Sequence, residues 1–435
     1  AIFFDLVEDK TVDAFSAENV ITMMSTPLAG TLAPAAAART EVQGNSPQPY
    51  PHEWFTRSNF GGRFSAMMKY AGYDGIVIEG KADEPVWVNV VDEEVEFKDA
   101  TDIWGLGTWE TQEEIWSQVG TSGWTRTDSP RDTGQSTQKP AIATIGPAGE
   151  AEIRFASIQH DAGNSAGNAG FGGVLGFKNL KAISVLGTGS VEMANPGETI
   201  DARLWAEENY AYDEEEDLPM AGFWGFGATP GSGDLGGFPG TEARAQGCIG
   251  CHKNCRKRLS DSVGNESQCV EAVFYNSYDQ AAHGEVTQES AKAADLTNKM
   301  GINAYSLYAA IPWLEALHEK GILGKGKEIE ADLPWEILGE EEFVDTLVEK
   351  IVNREGIGAT LADGLGRAAE TWGRFEQDTA EGILPVQYWG FPHHYDARTE
   401  VEWGYGSILG ARDINEHDFN WPLYWQPTLM HLSGN

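Results

Sequence analysis

The first 190 or so residues alternate between short apolar runs and glycine-containing breaks. Four such runs stand out: YDGIVIEG, PVWVNVVD, PAIATIGPAG and LKAISVLG. Runs of this length, rich in Val and Ile and bounded by Gly or Pro, are typical of β-strands. We therefore expect residues 1–190 to form a sheet-based domain.

The pattern becomes helical in the second half of the chain. SAKAADLTNKM stops at Gly301, and AYSLYAAIPWLEALHEK stops at Gly321, where a C-terminal glycine is expected. EEFVDTLVEKIVNR and GLGRAAETW predict two further helices. Between the halves lies an acidic, Gly-rich stretch, so the predicted organisation is a β-rich domain over 1–190, a connection over 191–245 and a mostly α-helical region over 246–435.

The length and charge of the chain indicate how many domains it forms and which kinds of partner it can have. A chain of 435 residues exceeds the roughly 250–300 residues of one hydrophobic core, which favours two or three domains. Its 67 acidic and 30 basic residues give a net charge of -37, which excludes nucleic acid as a partner and suits a saline cytoplasm. The sequence shows no membrane span or leader and predicts a cytoplasmic protein, and both chain ends resemble cuts rather than natural termini.

Three of the four cysteines lie within the eight residues CIGCHKNC, as Cys248, Cys251 and Cys255. This distribution argues against a secreted disulfide framework and for a metal site in a reducing compartment. Three thiolates on a tight loop suit a [4Fe–4S] cluster. A zinc site completed by His252 or Cys269 and a set of free thiols are the alternatives.

CxxCxxxC between a glycine-rich β half and a helical half resembles the aldehyde:ferredoxin oxidoreductase family. The resemblance covers most of the chain, and it implies an α+β fold in which an N-terminal double β-sheet domain binds pterin and mostly α-helical domains follow. It also implies a fourth cluster cysteine beyond Asn435, with Cys269 as the second choice. The matching segments occur in the family's order: STPLAGTLAPAAAAR, RSNFGG, KYAGYDGIVIEGKADEPVWV, DATDIWG, TIGPAGE, RFASI and AGFGGVLGFKNLKAI.

By this resemblance, two molybdopterins chelate one tungsten or molybdenum, and a Mg²⁺ ion joins their phosphates. Glycine allows the backbone to approach phosphate closely, although an ordinary turn is the alternative reading of each one. Where the family reads H-R-A-A-G-R, this chain reads G-N-S-A-G-N, so Asn164 and Asn168 replace positive charges. The implied positions are Asn59 and the Ser165 carbonyl for Mg²⁺, Arg39 on the phosphate side between pterin and cluster, and Gly61 and Gly167 lining the same region.

The family's D-x-x-G-L-D motif for pterin nitrogens reads N-K-M-G-I-N here. The resemblance therefore implies that Asn298, Ile302 and Asn303 contact the pterin. An Asn side chain both donates and accepts hydrogen bonds, so the contact survives without the charge. A polar helix C-terminus is the alternative interpretation.

Two residues are candidates for proton transfer. CVEAVF resembles the family segment that holds a glutamate beside the metal, which points to Glu271, and its apolar neighbours would raise its pKa. DAR followed by GYGS resembles the segment before the family's catalytic histidine, but that position falls on Ile414. His417 is the nearest imidazole and the second candidate, with a purely structural role equally open.

The function that the resemblance implies is oxidation of an aldehyde to a carboxylic acid, with electrons leaving through the cluster to ferredoxin or a ferredoxin-like subunit. A reductase of an aromatic acyl-CoA with the same cofactor is the first alternative. A non-enzymatic, zinc-containing interaction protein is the second. The assembly is expected to be a homo-oligomer or a hetero-oligomer.

Overall fold

The architecture was determined from a computed structural model. It describes residues 1–34, 39–119, 139–161, 163–209, 243–250, 256–259, 266–267 and 274–386.

Two β-sheets dominate the first half, as predicted. The four-stranded sheet is antiparallel, in the order β3-β2-β1-β4. The six-stranded sheet has the order β6-β5-β10-β7-β8-β9, and its β5–β10 pair is parallel. The strands are β1 (Ile21–Ser25), β2 (Thr40–Ser46), β3 (Trp54–Phe60), β4 (Gly75–Ile78), β5 (Val86–Val91), β6 (Glu94–Asp99), β7 (Ala141–Ile145), β8 (Ile158–His160), β9 (Asn164–Ala166) and β10 (Leu180–Leu186).

A single apolar core fills the space between the two sheets. All seven residues of β10 are buried, which explains why LKAISVL shows no polar alternation. The four-stranded sheet contributes Ile21, Met23, Val42 and Phe60 to this core, and the six-stranded sheet contributes Ile145, Ile158, Ile183 and Val185.

Thirteen α-helices are present in the part of the chain that the structure describes, and none is long and apolar enough to cross a membrane. Those of the first half are α1 (Ile2–Leu6), α2 (Phe64–Tyr70), α3 (Thr108–Val119), α4 (Pro147–Glu150), α5 (Phe171–Phe177) and α6 (Pro196–Asn209). Those of the second half are α7 (Asn276–His283), α8 (Gln288–Met300), α9 (Ala304–Glu319), α10 (Glu341–Val352), α11 (Ile357–Leu361), α12 (Leu365–Thr371) and α13 (Phe375–Glu381).

The four helices predicted in the second half are confirmed. Helix α8 begins after Thr287, whose side chain accepts a hydrogen bond from the Glu289 N–H, and it ends at Gly301 in the left-handed conformation (φ +67°). Helix α9 ends next to Gly321, which also has positive φ. Local capping interactions and glycine conformation therefore explain where α8 begins and ends and where α9 ends.

The elements that were not predicted include helix α6, the short strands around the cysteine loop and a parallel strand pair after α9. Helix α6 lies inside the predicted 191–245 connection; most of its residues are exposed, so it lacks the apolar stripe that would have revealed it. Short strands also flank the cysteine loop in the region predicted to be mostly helical: β11 (Ala243–Gln246), β12 (Arg256–Leu259) and β13 (Glu266–Ser267). A parallel pair, β14 (Leu323–Gly324) and β15 (Ile329–Glu330), follows α9.

The glycines of the GFGGVLGF segment allow close helix packing. A Cβ added to Gly172 would lie 2.4 Å from the Ser157 carbonyl oxygen, and one added to Gly176 would lie 1.8 Å from the Gly149 carbonyl oxygen. These contacts are with backbone atoms, which cannot move aside as a flexible side chain can. Packing of α5 against α4 and residues 153–157 thus explains these glycines, rather than an approach to phosphate.

Asp279 links α7 to the first turn of α8. Its fully buried carboxylate accepts hydrogen bonds from the backbone N–H and hydroxyl groups of Thr287 and Ser290. His283 Nδ1 lies 2.9 Å from Asp279 Oδ1, and its Nε2 lies 3.0 Å from Glu340 Oε1. The hydrogen bond to Asp279, with a smaller contribution from Glu340, raises the pKa of His283 despite an opposing effect of burial.

Replacing His283 with glutamine is expected to lower the melting temperature more in acid than in base. Because the pKa of His283 is higher in the folded state than in the unfolded state, its protonation stabilises the folded protein. This stabilisation is complete below the unfolded-state pKa of about 6.5, and it is lost as the pH rises through the folded-state pKa. Thermal unfolding at about pH 5.5 and about pH 8.5 measures the difference. His52→Gln, at an exposed position, is the control; an equal loss at both pH values would contradict the assignment.

Candidate functional site

Backbone hydrogen bonds join the two halves beside β8. The Ser157 N–H donates to the Gly301 carbonyl at 2.8 Å, and the Asn303 N–H donates to the Phe155 carbonyl at 3.1 Å. Between them, Ala156 and Ile302 form an antiparallel bridge. The corner between α8 and α9, which carries the N-K-M-G-I-N motif, is therefore fixed against the strands of the first half.

Asn303 and Asn168 contact each other directly across this junction. The Asn303 Nδ2 group donates to Asn168 Oδ1 at 3.0 Å, while its Oδ1 accepts from the Tyr305 N–H at 2.9 Å and caps α9. The two positions are 135 residues apart in sequence. Each replaces a charged residue of the family pattern, and together they form a neutral pair.

The other two residues of the motif are placed differently. Ile302 is buried in the core of the helical half, so its backbone rather than its side chain belongs to the junction. Asn298 is also buried, and its carbonyl accepts from the Thr108 hydroxyl at 2.7 Å. Its Nδ2 group has no hydrogen-bond partner among the described residues.

Arg39, Asn59 and Gly61 lie at the edge of the four-stranded sheet, on the side of the cysteine loop. The Arg39 guanidinium donates to Asn59 Oδ1 at 2.5 Å. A Cβ on Gly61 would lie 2.5 Å from Cys248 Sγ and 3.1 Å from Asn164 Oδ1. Glycine at this position lets the cysteine loop approach the sheet, and the Ile249 N–H donates to the carbonyl of the next residue, Gly62, at 3.0 Å.

Ser165 lies on β9, and Gly167 directly follows this strand. The Ser165 hydroxyl accepts a hydrogen bond from Gln159 Nε2 at 3.1 Å. A Cβ on Gly167 would meet the Ser165 hydroxyl at 3.5 Å and Asn303 Oδ1 at 3.6 Å, which are ordinary contacts, and its φ of -74° is open to any residue. Among the described residues, neither backbone conformation nor a close protein contact requires glycine at this position.

Several buried polar atoms in this region have no partner in the described part of the chain. Such atoms are costly in a folded protein unless a ligand or water completes them. The set contains both donors and acceptors, as recognition of the nitrogens and carbonyl of a pterin ring requires. The residues present therefore fit such a cofactor; the atoms are Asn164 Nδ2, Asn298 Nδ2, Gln159 Oε1 and Ser306 Oγ.

His160 and Gly62 belong to the site and were not predicted. His160 is fully buried; its Nδ1 lies 2.7 Å from the Ile142 carbonyl, and its Nε2 accepts from the Arg63 N–H at 3.1 Å. The Asp161 Oδ2 atom also lies 3.2 Å from Nε2, so both ring nitrogens have polar neighbours. Gly62 has a φ of +89°, and a Cβ there would lie 2.5 Å from the His160 ring. The Gly61–Gly62 pair directly after β3 is the sequence feature that could have indicated this part of the site.

The other candidates lie outside the described residues: Cys251, Cys255, Cys269, Glu271 and His417. Their roles remain predictions. Within the described ranges, no group of three or more His, Cys, Asp or Glu side chains is placed to hold a metal ion. Cys248 is described and is partly exposed on the loop after β11.

Gly167→Ala is expected to distinguish a ligand-facing glycine from a structural one. The added methyl group meets protein atoms only at ordinary distances, so the melting temperature of the cofactor-free protein should be unchanged. Cofactor occupancy after reconstitution, measured as bound pterin and tungsten or molybdenum, should fall several-fold. Gly197→Ala, at an exposed position with similar space, is the control; an equal occupancy in both variants would show that Gly167 does not face the cofactor.

Family models match nearly the whole chain. Residues 1–187 match the aldehyde ferredoxin oxidoreductase N-terminal domain, and residues 190–428 match domains 2 and 3 of the same family. This chain belongs to the aldehyde ferredoxin oxidoreductase family. The predicted resemblance and the α+β fold are thus confirmed, and membership in this oxidoreductase family implies a tungsten- or molybdenum-pterin cofactor.

Named relatives agree with this assignment. A tungsten-containing aldehyde ferredoxin oxidoreductase of Pyrococcus furiosus is 32% identical over 415 residues, covering 86% of this chain and 62% of the relative. An aliphatic sulfonate oxidoreductase, WOR-like subunit, of the same organism is 26% identical, covering 83% of this chain and 59% of the relative. The chain thus spans about three fifths of the length of these relatives.

A solved structure shows the same fold. The active site complex BamBC of benzoyl coenzyme A reductase, in complex with 1,5 dienoyl-CoA, aligns with a TM-score of 0.70 and 26% sequence identity. The alignment covers 90% of this chain and 60% of that chain. That similar protein is part of the complex named in this description.

Proposed function

We propose that this chain is the greater part of a bis-molybdopterin oxidoreductase, with tungsten or molybdenum, that oxidises an aldehyde to a carboxylic acid. A [4Fe–4S] cluster at the cysteine loop would pass the electrons to ferredoxin. The observations that support the proposal are the approach of Cys248 and Asn164 to Gly61, and the hydrogen bond from Asn303 to Asn168 that joins the two halves of the chain.

The reaction balances without a further co-reactant besides the electron carrier. One aldehyde and one water give one carboxylic acid, two protons and two electrons, which reduce two one-electron carriers. When bound, the metal–pterin group supplies the two-electron redox chemistry. The protein must exclude bulk water, orient the carbonyl carbon and accept protons.

The described residues provide the binding part of this task. Asn298 Nδ2 and Asn164 Nδ2 are buried hydrogen-bond donors without a partner among the described residues, so they would donate to acceptors of the pterin. The hydrogen bond between Asn303 and Asn168 links the second half of the chain to the first. Arg39, bonded to Asn59, supplies positive charge for the phosphates. Since Asn164 and Asn168 are neutral, Mg²⁺ bound at Asn59 and the Ser165 carbonyl would neutralise the remaining phosphate charge.

Proton transfer is assigned to Glu271 or His417, which are proposals from sequence alone. An apolar environment would raise the pKa of a Glu271 carboxyl towards neutrality, and an imidazole titrates in that range unaided. The activity of Glu271→Gln and of His417→Asn would be measured as a function of pH. The variant that loses one of the pH-dependent changes in rate seen in the unaltered protein identifies the proton-transfer residue.

An aldehyde panel tests the proposal. Purified protein with a full complement of tungsten or molybdenum and iron should reduce a viologen dye with at least one aliphatic or aromatic aldehyde. Failure with every aldehyde would overturn the proposed activity. Zinc alone in elemental analysis would point instead to the non-enzymatic interaction protein.

The second candidate is reduction of an aromatic acyl-CoA with the same cofactor. The similarity to the benzoyl coenzyme A reductase complex favours it. Turnover that depends on an acyl-CoA, without any aldehyde-dependent dye reduction, would decide for this alternative. We also propose a cytoplasmic location, because thiolates that bind a cluster suit a reducing compartment.

A further inference from the structure

Ala169 has a backbone conformation that alanine rarely adopts. It lies in the turn between β9 and α5 with φ +73° and ψ 0°, which is the left-handed region. An alanine is crowded there by its Cβ, and it has no polar side chain that could stabilise the conformation locally. A residue keeps such a conformation only where the surrounding structure imposes it. Contacts with other parts of the chain must therefore hold Ala169 in place.

Two side chains at and just beyond the end of β2 hold the backbone of Ala169. The Ala169 N–H donates to Gln48 Oε1 at 2.6 Å, and the Ala169 carbonyl accepts from the Ser46 hydroxyl at 2.6 Å. All three residues are buried. With a right-handed helical φ of about -63°, Ala169 could not keep both hydrogen bonds, because its N–H would turn relative to its carbonyl. These two side chains therefore select the left-handed conformation.

The segment that carries Gln48 is itself held by two arginines. The Arg154 guanidinium donates to the Pro47 carbonyl at 3.1 Å. The Arg367 guanidinium donates to the same carbonyl at 3.1 Å and to the Pro49 carbonyl at 2.8 Å. Arg367 lies in α12, so the second half of the chain helps to fix the backbone from which the Gln48 side chain extends.

The conformation of Ala169 determines where the preceding residue, Asn168, is directed. Asn168 Oδ1 accepts the hydrogen bond from Asn303 that joins the two halves of the chain. Since Ala169 lies between Asn168 and α5, a change to a right-handed helical φ would rotate Asn168 relative to α5 by roughly 135°. The bond to Asn303 and the position of Gly167 therefore depend on the left-handed conformation.

We propose that Gln48 is a positioning residue of the pterin site. It holds Ala169 in the left-handed conformation and thereby places Asn168 against Asn303. The inference rests on the proposed function, because that function gives the turn after β9 a place beside the bound pterin. Gln48 needs no contact with the cofactor, since it acts only through the backbone of this turn.

Gln48→Leu tests this role, because leucine occupies similar space but cannot accept the Ala169 N–H. In the full-length protein, the affinity for the pterin cofactor should fall by about tenfold or more, as is typical when a residue that supports a ligand-binding residue is lost. Pterin and tungsten or molybdenum bound after reconstitution measure this affinity. Adding Ala169→Gly should restore most of it, because glycine adopts a positive φ without strain. Damage unrelated to the turn would not be repaired by this second substitution.

Asn19→Leu is the matched control, because Asn19 is another buried amide whose oxygen accepts a backbone N–H, that of Asn45 at 3.1 Å. It should lower the melting temperature without weakening cofactor binding.

Amide hydrogen exchange in the cofactor-free protein separates this inference from the proposed function. Faster exchange of residues 168–170 in Gln48→Leu would support control of the turn by Gln48, even if no form of the protein bound pterin. An affinity for the cofactor equal to that of the unaltered protein would overturn the inference. So would a loss of affinity that Ala169→Gly does not restore.

Discussion

Cys248→Ala is expected to remove most of the bound iron and to abolish aldehyde-dependent dye reduction. A thiolate ligand cannot be replaced by a methyl group, so the effect should exceed the roughly 10- to 100-fold losses typical of residues that only support a ligand. Iron content and the electron paramagnetic resonance signal of the reduced protein measure the cluster directly.

Cys269→Ala is the matched control for this experiment. If the fourth ligand lies beyond Asn435, as the family resemblance implies, this variant should keep its iron and its spectrum. Loss of iron in Cys269→Ala as well would make Cys269 the fourth ligand. Full iron retention in Cys248→Ala would show that the cysteine loop does not hold the cluster.

Gly176→Ala is expected to be the most destabilising of the conservative substitutions considered. The added Cβ would lie 1.8 Å from the Gly149 carbonyl oxygen, so α5 must move away from α4. Overpacking of a rigid core typically costs about 1–3 kcal/mol, and a backbone clash this short should reach or exceed about 3 kcal/mol in the free energy of unfolding.

Chemical denaturation measures that loss, with Gly197→Ala as the control. Gly197 has only an ordinary contact, 3.6 Å to Asn195 Oδ1, so its substitution should change stability little. If Gly176→Ala were as stable as the control, the close approach of α4 and α5 would be wrong. Because the clash is with the protein's own backbone, its effect should appear in the cofactor-free protein too.

Local patterns predicted much of the fold. Strands β4, β5, β7 and β10 and the helices α8, α9, α10 and α12 follow from apolar periodicity and from glycines at helix ends, whereas the other strands of the first half were not predicted individually. Helix α6 was missed because its surface is mostly exposed, and β11 to β13 were missed because four-residue or shorter strands carry too little pattern. Apolar periodicity reflects burial, and few residues of α6 are buried.

The sequence named candidate site residues, but it could not show their contacts. Sequence alone singled out Asn168 and Asn303, yet nothing local could show that they bond to each other. Likewise, nothing local could show that Gly172 and Gly176 of the GFGGVLGF segment pack directly against backbone carbonyl oxygens. His160 was overlooked because its burial depends on tertiary neighbours, namely Gly62 and the Ile142 carbonyl.

The junction between residues 155–157 and 301–303 also sets the order in which the protein can mature. Its partners are separated by more than a hundred residues, so they meet late in folding, after the entropy of closing a long loop has been overcome. Neither half on its own presents both walls of the pterin site. A cofactor held at this junction would therefore be inserted only after the two halves have met, and heat that separates the halves would release it.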